Sequence, residues 1–228
     1  MKTKYYEIRA SSERKVLGVK ENVQVEILAK GFKDKGTYDR LFKQFSLKSY
    51  KSGASWYPDF EVIVEYTKAY KTAKLTDFLY FSPHLWGCPF MISKKVCNIF
   101  AEYNLTDHNY FPVNLYQRDI LIEDLRLFQW KELDYNIIDF SESTFISGHE
   151  ITNNLKKQTF SSIEEFSNSR YISFLRAEKI LLNNNFDTRL DFFELKSVGM
   201  FVSERLASKI KAENLTGIKF VDFIECRA

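Results

Sequence analysis

At 228 residues and 27.0 kDa the chain can bury about 70% of its unfolded surface, so it needs no disulfide or metal staple. Aromatics reach 16% against only 8 Gly and 4 Pro, which excludes a disordered or low-complexity chain. Net charge is +3 but unevenly placed: residues 1–75 carry 16 Lys/Arg against 9 Asp/Glu, and the remainder is net acidic.

The N-terminal MKTKYYEIRA has no apolar leader, and no run of 18 apolar residues occurs anywhere, so a soluble, cytoplasmic protein without a membrane partner is expected. Lys4 to Arg9 reads as a first strand. Asn22 to Leu28 alternates strictly, with Val23, Val25 and Ile27 on one face and Gln24 and Glu26 on the other, predicting a half-exposed strand. Tyr38 to Phe45 places Leu41, Phe42 and Phe45 on one helical face. Residues 46–59 read as a loop, and Phe60 to Tyr66 as a strand. Further on, Asn109 to Tyr116 and Leu125 to Trp130 read as strands joined through Glu123-Asp124. Asn136 to Phe140 reads as a short strand. Ser161 and Glu164 stand at capping-box spacing, and Lys179 to Leu182 and Leu190 to Leu195 read as strands, with Gly217 to Ile224 the last.

An internal repeat organises these elements. Met91-Ile92-Ser93-Lys94-Lys95-Val96 returns 110 positions later as Phe201-Val202-Ser203-Glu204-Arg205-Leu206, and Asn104-Leu105-Thr106 returns as Asn214-Leu215-Thr216. Upstream, Asp77-Phe78-Leu79 resembles Asp191-Phe192-Phe193, with a spacer to the serine four residues longer in the first copy. Each serine follows apolar residues and precedes a helix-favouring run, so each predicts an N-cap worth about 1 kcal/mol. Val96, Ile99, Phe100 and Tyr103 form one apolar stripe, and each Asn suits a left-handed helix exit. The expected fold is α+β, mostly antiparallel sheet with short helices. It forms a single domain over 1–228, with two related strand-helix-strand units (about 77–116 and 191–224) in one compact body.

No GxGxxG, Walker loop, GxSxG, HExxH or EF-hand motif is present, and the three histidines are far apart. His84 and Cys88 are four apart, but Pro83, Gly87 and Pro89 oppose the helix that would align them, and two ligands do not make a site. Cys88, Cys97 and Cys226 contain no CxxC pair and read as reduced thiols. His149 beside Glu150 reads as a loop residue. No catalytic residue, cofactor or metal is therefore expected. The basic residues are scattered among Glu and apolar residues, with no run longer than two, so they read first as a solvated, mixed-sign surface, with an acidic protein partner as the next reading and nucleic acid the last.

Lys74 to Leu79, the Met91 to Lys95 start, Tyr110 to Val113 and the ending Phe201 to Leu206 with Leu215 to Phe220 together carry a family likeness. They resemble a bacterial family tied to polymorphic toxins, immunity family eleven, formerly a domain of unknown function. That resemblance implies an intracellular antidote that binds and blocks a cognate toxin by stoichiometric occlusion, and it transfers no catalytic residue. The contrasting reading is a small enzyme or nucleic-acid-associated protein with a site assembled from scattered residues. For an interface, two aromatic loop segments stand out: Tyr50 to Asp59, with Tyr50, Trp56 and Tyr57, and Tyr116 to Trp130, with Tyr116, Arg118 and Trp130; the alternative is that these aromatics fill the core beneath loops.

Overall fold

The computed structural model describes residues 3–51, 56–148, 154–172, 175–196 and 198–228, with the backbone alone at 50, 51, 170–172 and 222–225. The chain begins with β1 (Lys4–Ala10), α1 (Arg14–Leu17), β2 (Val25–Ile27), α2 (Lys35–Gln44), α3 (Leu47–Lys51) and β3 (Val64–Ala69). There follow β4 (Phe78–Leu79), β5 (Phe81–Ser82), β6 (Phe90–Ser93), α4 (Lys94–Phe100), β7 (His108–Gln117) and β8 (Ile120–Trp130). Next come β9 (Thr144–Ser147), β10 (Lys156–Gln158), α5 (Ile163–Ile172) and β11 (Arg176–Leu181). The chain closes with β12 (Phe192–Leu195), β13 (Gly199–Ser203), α6 (Glu204–Ala212) and β14 (Ile218–Arg227). The fold is α+β, with short helices on sheets in which antiparallel pairing dominates.

The repeat is structural. Ser93 caps α4 by accepting the Val96 N–H at 3.4 Å, and Ser203 caps α6 by accepting the Leu206 N–H at 3.3 Å. Phe78 pairs Ile92 in one unit, and Phe192 pairs Val202 in the other. The strands that follow the helices, β7 and β14, start 110 residues apart. Asn214 leaves its helix at φ 52 as expected, whereas Asn104 is not among the residues with positive φ.

The likeness extends to whole sheets. One runs β4-β6-β8-β7-β3-β2-β5 and the other β12-β13-β1-β14-β11-β9-β10. From the β4 and β12 edges inward, both pair antiparallel three times, then parallel, then antiparallel. They differ only at the far edge, where β5 is parallel to β2 and β10 antiparallel to β9. The place of β8, which continues from β7 through a hairpin, is filled in the second sheet by β1. Thr3 and Ala228 exchange backbone hydrogen bonds of 3.1 and 3.0 Å where the first sheet has that hairpin turn. The second unit is thus completed by the first strand of the chain, a circularly permuted copy of the first.

Three apolar clusters follow from this. A central one joins the units through Phe78, Phe90, Phe100, Phe128, Trp130, Phe192, Val202 and Leu206. An outer cluster under α2 holds Leu41, Leu79, Met91 and Leu127, and another under α5 holds Phe145, Phe166, Phe193 and Phe201. Successive residues of one strand therefore point into different cores: Phe90 and Ile92 inward, Met91 outward. That is why these strands read as unbroken apolar runs and not as alternation.

Several expectations are corrected. Gln24 is not solvent-facing but fully buried; its amide donates to the Lys74 carbonyl at 2.6 Å and Thr76 Oγ1 at 3.0 Å, while its Oε1 accepts the Tyr80 N–H at 3.3 Å. It satisfies backbone groups where β4 gives way to β5. The 46–59 loop contains α3, and the strand expected from Phe60 begins at Val64. Glu123 and Asp124 lie inside β8 because the turn falls at Arg118 and Asp119, whose φ values of 52 and 66 match a two-residue type I′ hairpin. Asn136 to Phe140 forms a 3-10 turn at Tyr135–Ile137 and a single bridge from Ile138 to Leu182. The α5 cap is displaced by one residue: Ser162 Oγ accepts the Glu165 N–H, and Glu165 reaches back to Ser161.

Candidate functional site

The two cap serines are also the anchors of a polar network. Ser93 donates to Asp77 at 3.0 Å, and Ser203 donates to Asp191 at 2.6 Å. Each aspartate in turn receives a backbone N–H from the Asn-Leu-Thr turn of the other unit: Thr216 on Asp77 at 2.8 Å, Asn104 on Asp191 at 2.9 Å. The exchange is reciprocal, with a two-residue slip between the copies. Gly217, at φ +94, lets the second turn close in, since a Cβ there would stand 2.1 Å from the Phe78 carbonyl oxygen.

Asp191 borders a cleft of about 530 Å³ that also involves Lys4, Asn104, Arg189, Glu204 and Arg205. Arg205 pairs with both Asp191 oxygens, and its guanidinium lies 5.0 Å from the Tyr103 ring centroid. Burial raises the Asp191 pKa, but Arg205, Ser203 and the Asn104 amide outweigh it and hold the carboxyl below the ordinary range. Four donors fill its lone pairs, which leaves no acceptor site for a substrate proton. Ser203 has likewise committed its proton to Asp191 and a lone pair to the cap. The cluster is a joint between the units.

The six interface residues separate. The Tyr50 side chain lies outside the described residues, as does His149. Trp130 is a correction: it is fully buried in the central core, and its indole N–H donates to Glu194 Oε2 at 2.6 Å across the two units. As a strand-end aromatic it looked like a loop anchor, but the opposing sheet covers it. Tyr116 is half-buried against Tyr66, ring centroids 4.8 Å apart, and Arg118 is exposed at the hairpin tip. Trp56 sits near the opposite end of β8, its carbonyl accepting from Gln129 at 3.1 Å. Eight residues of strand, about 27 Å, separate Gln129 from Leu121 opposite Tyr116, so the two segments form no single cluster.

Around Trp56 and Tyr57 the sequence reading missed neighbours that complete a surface. Trp86 is 39% exposed and Tyr57 56%. The Trp86 N–H donates to the Phe45 carbonyl at the end of α2, the Trp56 ring packs over Gly87, and Arg40 of α2 lies 5.4 Å from the Phe60 ring centroid. His84 stands edge-on to Trp86 at 5.3 Å, and partial desolvation of its ring lowers its pKa although the residue is exposed. Leu47, at the start of α3 and two residues after Phe45, is also exposed. The Trp56 indole N–H is buried with no hydrogen-bond acceptor among the described residues. The signal for this loop was the longer spacer: 16 residues separate Asp77 from Ser93, but 12 separate Asp191 from Ser203. The added residues build the β5 segment and the turn carrying His84 and Trp86.

Among the described residues, no group of three or more His, Cys, Asp or Glu is placed to hold a metal ion, and no helix is long and apolar enough to cross a membrane. His84 is exposed while the Cys88 thiol is fully buried, with its pKa pushed up by burial, so the pair does not converge. No protein-family model matches the chain, and no curated protein matches it.

Proposed function

We propose that this chain is an immunity protein of the polymorphic-toxin kind, which binds a cognate toxin in the cytoplasm and neutralises it by stoichiometric occlusion. The observation that carries this reading is the exposed Trp86, with the exposed His84 edge-on to it and its backbone held to the end of α2, and the exposed Tyr57 next to Trp56, whose ring packs over Gly87. Soluble domains scatter single exposed apolar residues, whereas a group of aromatics anchored by backbone hydrogen bonds is what a protein interface uses for its hot spots. Tyr and Trp lose little side-chain entropy on binding and bury much area, so such a face can dominate an interface of about 800 Å² per partner. In this reading the chain supplies no chemistry and uses no cofactor. Its saturated Ser-Asp joints keep the two units in register, so the face is presented without prior rearrangement.

The test is co-expression with the toxin encoded beside it. Protection should titrate at one immunity chain per toxin, and a stable complex should elute as a single species. Protection by a small fraction of an equivalent, or a toxin that stays active and unbound, would overturn the reading.

A further inference from the structure

The helices beside Trp86 are predominantly basic. Across α2, α3 and the residues joining them, positions 35–51 hold Lys35, Arg40, Lys43, Lys48 and Lys51 against the single acid Asp39. Lys43 and Lys48, on either side of the Phe45 that binds Trp86, are exposed. Asp59 and Glu61, two and four residues after Tyr57 and both exposed, offset part of this. The corresponding cover of the second sheet has the opposite sign. There, residues 131–143 and α5 together hold Lys131 and Arg170 against Glu132, Asp134, Asp139, Glu142, Glu164 and Glu165. The units share strand order and caps, so the basic charge is a property of this face and not of the fold.

Resting on the immunity reading, we infer that the face beside α2 and α3 takes an acidic polypeptide surface, with an apolar side chain of the partner seated against Trp86 and Tyr57 and its carboxylates facing Lys43 and Lys48. Two physical effects divide the work. Burial of the aromatics sets how long the complex lasts, while the lysines raise the rate of encounter and reject basic partners. Exposed lysines are screened over about 8 Å at physiological ionic strength, so the encounter rate must fall as salt is added.

The probe is a fluorescein-labelled 20-residue peptide rich in Glu and carrying two Phe residues, compared with its Lys-for-Glu counterpart and with a single-stranded oligonucleotide of equal charge. The acidic peptide is expected to bind saturably and the basic one not at all. Lys43→Glu with Lys48→Glu should weaken the acidic peptide at least tenfold, with circular dichroism and melting unchanged; Trp86→Ala should weaken it at all salt concentrations. Equal binding of both peptides, or an unaltered affinity after charge reversal, overturns the inference. Tighter binding of the oligonucleotide overturns it in favour of nucleic acid, and low-salt self-association lost on charge reversal overturns it in favour of a second copy. A toxin neutralised at one equivalent with a salt-independent on-rate sinks only the acidic partner. Peptide capture without toxin protection sinks only the immunity reading.

Discussion

Thr216 donates both its backbone N–H and its hydroxyl to the Asp77 carboxylate, at 2.8 and 2.9 Å, although 139 residues separate the two. With the Ser93 hydroxyl on the other oxygen, one side chain ties a helix cap in one unit to a turn in the other. Asp191 does the same in reverse and adds Arg205. The joints are unequal, however, because Asp191 is only 2% exposed and Asp77 is partly open to solvent.

That inequality gives the first prediction. Asp191→Ala removes a buried acceptor from four donors, two of them on the solvent-exposed Arg205, and should cost about 2–3 kcal/mol, chiefly from the Ser203 hydroxyl and Asn104 N–H left unpaired. Asp77→Ala loses a cap and exposed bonds and should cost about 1–2 kcal/mol. Urea midpoints of the two variants test the order; equal losses would mean the Arg205 pair contributes nothing.

The second prediction concerns pH. Burial first, and the negative charge of Glu132 second, raise the Glu194 pKa to about 7 against the opposing Trp130 hydrogen bond. A carboxyl with a raised folded pKa stabilises the fold while protonated. Between the ordinary glutamate value of 4.5 and about 7, the folded chain holds a proton that the unfolded chain has released. Rising pH therefore favours unfolding across that window, and the contribution, about 3 kcal/mol at most, is gone above it. Glu7, whose pKa burial also raises against its Arg9 partner, acts in the same direction. Melting temperature should fall from pH 5 to 7.5, and Glu194→Gln should reduce the slope. An identical slope in the variant would remove Glu194 as its source.

The third prediction follows from β1 standing where β8 stands. Joining Ala228 to Thr3 through a short linker and opening the chain between Arg118 and Asp119 exchanges the roles of the two hairpin sites. Thr3 and Ala228 already share a backbone pair, and the new ends fall at an exposed tip. The permutant should fold with a far-UV spectrum like the parent and melt within a few degrees of it. An insoluble or molten product would show that the Arg118-Asp119 turn is needed to set the β7–β8 register.

Local chemistry was legible in the sequence and long-range pairing was not. Ser93 and Ser203 announced their caps because a cap needs only its own next three residues. The repeat was visible for the same reason: apolar runs, serine and Asn-Leu-Thr recur at one offset. Nothing near Lys4 to Ala10 marks that strand as the missing neighbour of β14, since that pairing spans almost the whole chain. Glu123 and Asp124 concealed the outer part of β8, which stands exposed in a long hairpin where no core enforces alternation. For the candidate face, Tyr57 was picked out by its aromatic loop setting. Trp86 was passed over because Ser82-Pro83 and Gly87 read only as turn punctuation.

The last prediction sets Trp86 against Trp130. The two lie at either side of one backbone contact, the Trp130 N–H on the Gly87 carbonyl at 3.2 Å, yet their side chains meet different surroundings. Trp130 packs 4.7 Å from Phe128 and 5.0 Å from Phe192, ring centroid to centroid, in a core fed by both units. Trp130→Ala should therefore cost about 3–5 kcal/mol by emptying that space, and also leaves Glu194 without its donor. Trp86→Ala removes a ring that is 39% exposed while the backbone bond to Phe45 remains, so it should cost less, about 1 kcal/mol. Binding to the proposed partner should respond in the opposite order: more than tenfold weaker for Trp86→Ala, and for Tyr57→Ala. In Trp130→Ala it should fall only in proportion to the unfolded fraction. Calorimetric titration alongside thermal melts separates the two effects. Full affinity in Trp86→Ala would move the interface elsewhere, and a cooperative, unshifted melt in Trp130→Ala would mean that the central core can close without it.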